Sequence, residues 1–234
     1  PVHPATDGAL ALGAIREIFE QGWEATDFLR DHTEAPLLIK EDGMFLRMSD
    51  LGVEPTETTT NAQGQEIPVD PYVVWDEASS SAVPLAKATK PALGGVAPIE
   101  GIAVRTEMEM IREAVEPWTL EHTSEVTGVS VEDIQHLAHL YTQEGDVQTD
   151  MKFGLNHYNN GMYSSKCVNS LLLVSGQMGR SGSGLFTGEP NFGEGNVQAC
   201  ITMPSATGEV PQGVGAILNW TDFCNNIVPT GKKL

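Results

Sequence analysis

Apolar residues come in short bursts along the chain, separated by long polar and glycine-rich stretches. Leu10, Ala14, Ile15, Ile18 and Phe19 keep the three- and four-residue spacing of one helix face, and Gly22 stands where such a helix would stop. Thr6 or Asp7 is its natural N-cap. A short helix is expected around residues 25–30. The run 37–48 reads as a hairpin, with Asp42-Gly43 suited to a type I′ turn between two apolar strands. Residues 51–104 hold only two strand-like islands, at 73–75 and 102–104, among Pro, Thr, Ser, Ala and Gly. That stretch predicts an insertion running over the surface. Thr106 and Glu109 carry the capping-box spacing before Met110-Ile111. Ser130 and Asp133 open a second helix with Ile134, Leu137, Ala138 and Tyr141 on one face. A strand is expected over 147–155 and a strongly apolar helix over 164–178, after which glycine and loop signals dominate. Helices with few, scattered strands predict an α/β or α+β fold.

Charge divides the chain in two. The 234 residues carry a formal charge of −19, but residues 1–150 hold 28 of the 32 acids against 8 bases, and residues 151–234 hold 4 acids against 5 bases. Such acidity argues against a nucleic-acid or anionic-membrane binder, since both need a basic face. An anionic ligand would be repelled by most of the first segment but not by the last third. No apolar run approaches the roughly 20 residues of a membrane span. The chain begins at Pro1, without an initiator methionine, and opens on a turn and a helix. It reads as a piece excised from a larger protein.

Several candidate chemistries fail on spacing. Cys167, Cys200 and Cys224 form no C-x-x-C pair and so encode no zinc or iron–sulfur site. His136 and His139 lie at i and i+3 but fall beside Glu132 and Asp133 on the solvated side of their helix, so no metal pair is expected. The glycines from Gly176 to Gly184 follow a helix, whereas a phosphate-cradling loop precedes one. They read as a helix C-cap and a tight turn.

Two segments retain ligand chemistry. Thr6-Asp7 can cap a helix, and a carboxylate at that position can accept two N–H bonds from a guanine edge. Between Gly154 and Gly161 a strand gives way to His157, Asn156, Asn159 and Asn160 before an apolar helix. The carboxyl end of a strand leading into a helix is where α/β proteins place ligands. A third polar loop follows at Gly193, Glu194 and Asn196. An ordinary surface-loop role for each of these segments stays open.

In this order, the pieces resemble the catalytic subunits of the molybdopterin oxidoreductase (dimethyl sulfoxide reductase) family. The matching features are a Pro-x-Thr-Asp turn opening a helix (Pro4 to Asp7) and a Thr-Gly-Val-Ser segment (Thr127 to Ser130). They continue with a glycine-bounded loop before a Leu-rich helix (Gly154 to Gly161), a Gly-x-x-Gly-Arg-x-Gly turn (Gly176 to Gly182) and a Gly-x-x-Asn-Val-Gln segment (Gly193 to Gln198). The resemblance implies that residues 1–190 are part of a Rossmann-like α/β middle domain that binds molybdopterin guanine dinucleotide. Residues 191–234 would start the return into a neighbouring domain.

The resemblance also assigns cofactor contacts to Thr6, Asp7, Gly154, His157, Gly161, Gly193, Glu194 and Asn196 and no metal ligand to this stretch, and it leaves the catalytic residues open. It implies a parent enzyme with bis-molybdopterin guanine dinucleotide carrying molybdenum or tungsten and a 4Fe-4S cluster elsewhere. A small-molecule substrate and an electron-transfer iron–sulfur subunit would be its partners, and the periplasm or cell envelope its location. Phe192 stands where formate dehydrogenases carry a substrate-binding Arg, which speaks against formate. The stretch alone is expected to be inactive and to bind no cofactor. Two rival readings are a non-redox tungsten-dependent hydratase of the same family and a non-catalytic acidic interaction domain.

Overall fold

A computed structural model describes residues 1–61 and 64–186. Its centre is α1 (Asp7–Gln21), flanked by α3 (Glu107–Val115), α4 (Leu120–Thr127), α5 (Val131–Gln143) and α6 (Gly161–Val174). The periodicity of α1 delivers what it promises: Ala14, Ile15 and Ile18 are fully buried and meet Ala138 of α5 and Leu172 of α6. Gly22 ends the helix at φ +67°, with its N–H on the Phe19 carbonyl. Both expected caps on the later helices form. Thr106 Oγ1 accepts from Glu109 N at 3.2 Å while Glu109 Oε2 accepts from Thr106 N at 2.9 Å, and Ser130 Oγ accepts from Asp133 N at 3.1 Å. The short helix α2 (Thr26–His32) packs against α6.

The strands pair only in twos. β1 (Leu38–Lys40) runs antiparallel to β6 (Val104–Thr106), β2 (Glu57–Thr60) to β3 (Glu66–Val69), and β4 (Val73–Asp76) to β5 (Ser81–Pro84). β7 (Gln148–Asp150) runs parallel to β8 (Gly184–Phe186), with Gln148 opposite Gly184 and Asp150 opposite Phe186. The connection between that pair contains α6, so β7, α6 and β8 form a βαβ unit. The fold is therefore mixed α/β, with six helices and small two-stranded sheets among the described residues.

Three sequence expectations need correction. The stretch 51–104 is not merely superficial. Val73 is fully buried in a second core with Leu38, Leu46, Ile99 and Val104, and Val74 is fully buried as well. Only the β2–β3 ribbon runs exposed on both faces. The hairpin turn at Asp42-Gly43 is not type I′, which needs φ > 0 at both central residues. Only Gly43 is left-handed, at φ +80°, with its N–H on the Lys40 carbonyl at 2.9 Å and the Lys40 N–H on the Met44 carbonyl. This three-residue loop suits a type I turn closed by a glycine bulge. The returning segment makes an isolated bridge, Ile39 to Phe45, because β1 spends its ladder on β6. Finally, the strand expected over 147–155 ends at Asp150. Gly154 and His157 lie in a 3₁₀ turn over Phe153–His157, and α6 begins three residues before the expected position.

The second core is fastened by Asp76, which is 3% exposed. One carboxylate oxygen accepts from Thr89 N (3.1 Å) and Lys90 N (2.6 Å), the other from Ser79 N (3.0 Å) and Ser79 Oγ (2.7 Å). The Lys90 amide and the Ser79 hydroxyl, working against burial, hold its pKa down to about 2 from the ordinary 3.8. A folded-state pKa below the unfolded one stabilises above the unfolded value and is lost as pH falls through the folded one. Asp76→Asn is therefore expected to be less stable than the parent chain at neutral pH, with the gap closing between 3.8 and about 2. Urea midpoints of both proteins across that range check this. A gap that stays constant to pH 2 refutes it.

Candidate functional site

α1 and α6 lie side by side and run in the same direction. Near their starts, Gly8 is so close to α6 that a Cβ added there would fall 3.0 Å from Ser164 Cα. Near their ends, the Ala25 N–H donates to the Val174 carbonyl at 2.8 Å. Both helices thus open their first turns at the same end of the fold, where the macrodipoles favour negative charge, although the Gly161 N–H is already taken by the Tyr158 carbonyl at 2.9 Å.

The turn before α1 is held from three sides. The His3 backbone N–H donates to the Thr127 carbonyl at 2.7 Å and its ring Nδ1 donates to the Val126 carbonyl at 3.1 Å, tying it to the end of α4. The ring lies over Gly128, at φ +71°, where any Cβ would collide with His3 Nε2. This explains why the Thr127-Gly128 segment belongs with the Pro4-to-Asp7 turn although they are far apart in sequence. Thr6 occupies the N-cap position, but its hydroxyl donates back to the His3 carbonyl at 2.7 Å and makes no cap bond to the helix. Its expected side-chain capping role is thereby corrected: the hydroxyl closes the turn instead. Asp7 is the first residue of α1 and half-buried.

The third fastening comes from the other loop. Asn160 Nδ2 donates to the Ala5 carbonyl at 2.8 Å. Ala5 sits at φ +67°, a left-handed conformation that costs a non-glycine residue roughly 1–2 kcal/mol. Asn160 and the His3 straps hold that strained peptide in place. Thr6, Asp7 and Gly161 are thus gathered around the paired helix starts, with Gly161 buried as the first residue of α6. Gly154 and His157 are exposed in the 3₁₀ turn that leads into the same loop. Tyr158, Met162 and Tyr163 stand 42%, 60% and 64% exposed around it, an apolar rim on an otherwise polar end. Gly193, Glu194 and Asn196 lie outside the described residues.

Asn160 stands among the polar candidates of its loop, but the motifs give no sign of its partner, the Ala5 carbonyl. Their contact spans 155 positions, and only the left-handed Ala5 hints at it. Among the described residues no group of three or more His, Cys, Asp or Glu could hold a metal ion. His139 instead meets Glu144 at 3.1 Å and the Trp23 ring edge. Gly176 closes α6 as a C-cap: the Gln177 N–H reaches the Leu172 carbonyl and the Gly176 N–H the Leu173 carbonyl.

No family model matches the chain. Curated proteins do. The chain is 25% identical over 195 residues to the α-subunit of dimethylsulfide dehydrogenase from Rhodovulum sulfidophilum, covering 78% of this chain and 20% of that protein. It is 28% identical over 186 residues to a putative catalytic subunit of dimethyl sulfoxide reductase from Halobacterium salinarum, covering 78% and 21%. Over a shorter stretch of 110 residues it is 32% identical to the α-subunit of an F420-dependent formate dehydrogenase of Methanococcus maripaludis, covering 47% and 16%. The chain spans about a fifth of the length of the first two relatives. The relatives matched over about 78% of the chain at 25–28% identity are catalytic subunits of the molybdopterin oxidoreductases, the dimethyl sulfoxide reductase family, and the chain is similar to a segment of them.

Proposed function

We propose that the described residues, as part of a domain extending to about residue 190, bind one guanine dinucleotide limb of a bis-molybdopterin cofactor in a larger oxidoreductase, and that residues 191–234 lead into its neighbouring domain. The observation that carries this reading is the convergence of the Pro4-to-Asp7 turn and the Asn160-Gly161 turn on two parallel helix starts. The donor set fits such a ligand. First-turn N–H groups of α1 and α6 suit phosphate oxygens, and the Asp7 carboxylate, at the first residue of α1, suits the N–H pair of a guanine edge. Gly154 has open space where a side chain would stand, so backbone can approach a ligand closely. Gly193, Glu194, Asn196 and His157 complete the proposed contacts, and the βαβ unit of β7, α6 and β8 is the local Rossmann-like element.

When bound, the molybdenum or tungsten centre supplies two-electron redox chemistry, including oxygen-atom transfer. This chain's residues only hold and orient its nucleotide end. The parent would act on a small substrate at the periplasm or cell envelope and pass electrons to an iron–sulfur subunit. Relatives named for dimethylsulfide, sulfite and chlorate support a reductase or dehydrogenase rather than a hydratase. No helix among the described residues is long and apolar enough to cross a membrane.

Asp7→Ala in the full-length parent is the test. Losing two charge-assisted bonds of about 1.5–3 kcal/mol each is expected to lower guanine dinucleotide occupancy tenfold or more, measured as GMP and oxidised pterin released on denaturation. Thermal stability of the cofactor-free protein should be almost unchanged. Full GMP content in Asp7→Ala would remove Asp7 from the site.

A further inference from the structure

The far half of α6 borders a different feature. A groove of about 250 Å³ lies between α2 and its C-terminal end, the start of α3 and the last turns of α6, walled by Leu29, Ala35, Ile111, Leu173 and Val174. Two carboxylates face it, Glu34 and Glu107. Glu107 Oε2 is shielded from solvent and has no hydrogen-bond partner. Burial, and secondarily the Glu34 charge, push the Glu107 carboxyl above its ordinary pKa. Among the described residues neither has a cation within ion-pair distance. Glu24, the other carboxylate with a shielded bare oxygen, differs: its second oxygen holds Arg112 Nη2 at 2.5 Å. The remaining polar groups lining the groove are His32 and Thr33 at the end of α2 and Ser170 of α6. Two acids thus confront at most one positive imidazole.

A buried carboxylate oxygen without a partner is costly, and a native structure keeps few of them. The wall chemistry says what would relieve it. Aliphatic side chains suit a methylene stem, the paired carboxylates suit an ammonium or guanidinium head, and the C-terminal end of α6 also favours positive charge. We propose that this groove is a docking site for one Lys or Arg side chain presented by an apolar segment of another polypeptide. The site is distinct from the paired helix starts: Ser170, Leu173 and Val174 lie in the half of α6 away from Gly161.

The probe is a short acetylated peptide with one arginine between leucines, titrated into the 234-residue chain and followed by backbone amide shifts. A matched peptide carrying neutral citrulline is the control. Saturable shifts confined to residues around 29–35, 107–111 and 170–174 are expected, with at least tenfold weaker binding for the citrulline peptide. Glu107→Gln and, as an exposed variant with little bearing on folding, Glu34→Gln should each weaken the arginine peptide several-fold. The proposal is overturned by absent or scattered shifts, by equal affinity for the two peptides, or by affinity unchanged in both variants. Free butylguanidinium binding as tightly as the peptide would also overturn it, since the site would then serve a small cation and not a polypeptide.

Discussion

Replacing Gly13 by alanine is expected to destabilise the protein by about 2 kcal/mol, although alanine is the better helix former. On propensity alone the substitution in mid-helix should gain up to about 1 kcal/mol. Gly13, however, faces α4, where an added Cβ would fall 2.5 Å from Thr123 Cγ2 and 2.8 Å from its Cβ, and closer still to Oγ1. Thr123 is fully buried, β-branched and short, with its hydroxyl aimed at the Trp118 carbonyl, so it cannot swing aside like the end of a long side chain. α1 and α4 must separate, and overpacking of that kind costs about 1–3 kcal/mol. Three close contacts place Gly13 at the upper end, before the propensity gain is deducted. For a domain of this size the melting temperature should fall by about 4–8 °C. Thr123→Ala in the same background should recover part of the loss, because it removes Oγ1 and Cγ2 and leaves only the 2.8 Å approach to Cβ. A double-mutant cycle showing simple additivity would refute the contact as the cause.

That same helix pair shows where sequence reading reaches its limit. α1, α3 and α5 were legible because each carries its own local signal: an apolar stripe, an N-cap hydroxyl with an acid three residues on, or a left-handed glycine at the end. α4 carries an N-cap too, Thr119, yet its buried face consists of Thr123 and Thr127. Those hydroxyls are satisfied within or beside the helix, Thr127 Oγ1 on the Thr123 carbonyl at 2.7 Å. A polar residue that hides its hydroxyl on backbone counts as surface in any hydrophobic pattern. The second core failed for a related reason: its members sit singly on β1, β4 and β6 and in loops, and only tertiary pairing makes Leu46, Val73 and Ile99 one cluster.

The site divides the same way. Motif order pointed to the two turns, because glycine and Asx residues at helix starts are local features. What holds them together, Asn160 on Ala5 and His3 on Val126 and Thr127, joins segments more than a hundred residues apart and has no periodicity to betray it.

A larger loss is expected where buried polarity is fully used. Gln177 is 1% exposed, and its amide answers three backbone groups at once. Nε2 donates to the Tyr141 carbonyl at 2.7 Å and the Gly145 carbonyl at 2.8 Å, and Oε1 accepts from the Val147 N–H at 3.0 Å. These bonds join the end of α6 to the last turn of α5 and the entry to β7, at the root of the βαβ unit. Gln177→Leu nearly preserves volume and removes only the hydrogen bonding, leaving three backbone groups to find water or go unpaired. Each orphaned group costs about 1–3 kcal/mol, so a loss of at least about 3 kcal/mol is expected. Gln177→Glu keeps the acceptor for Val147, but it faces two carbonyls with a carboxyl that must either stay protonated or repel them. Its deficit should therefore be smaller at low pH and grow as pH rises past the carboxyl range. Denaturant unfolding of both variants at about pH 5 and 8 distinguishes the two effects. If Gln177→Leu lost less than about 1 kcal/mol, or if Gln177→Glu showed no pH dependence, the amide would not be the bolt between α5, α6 and β7 that these three bonds describe.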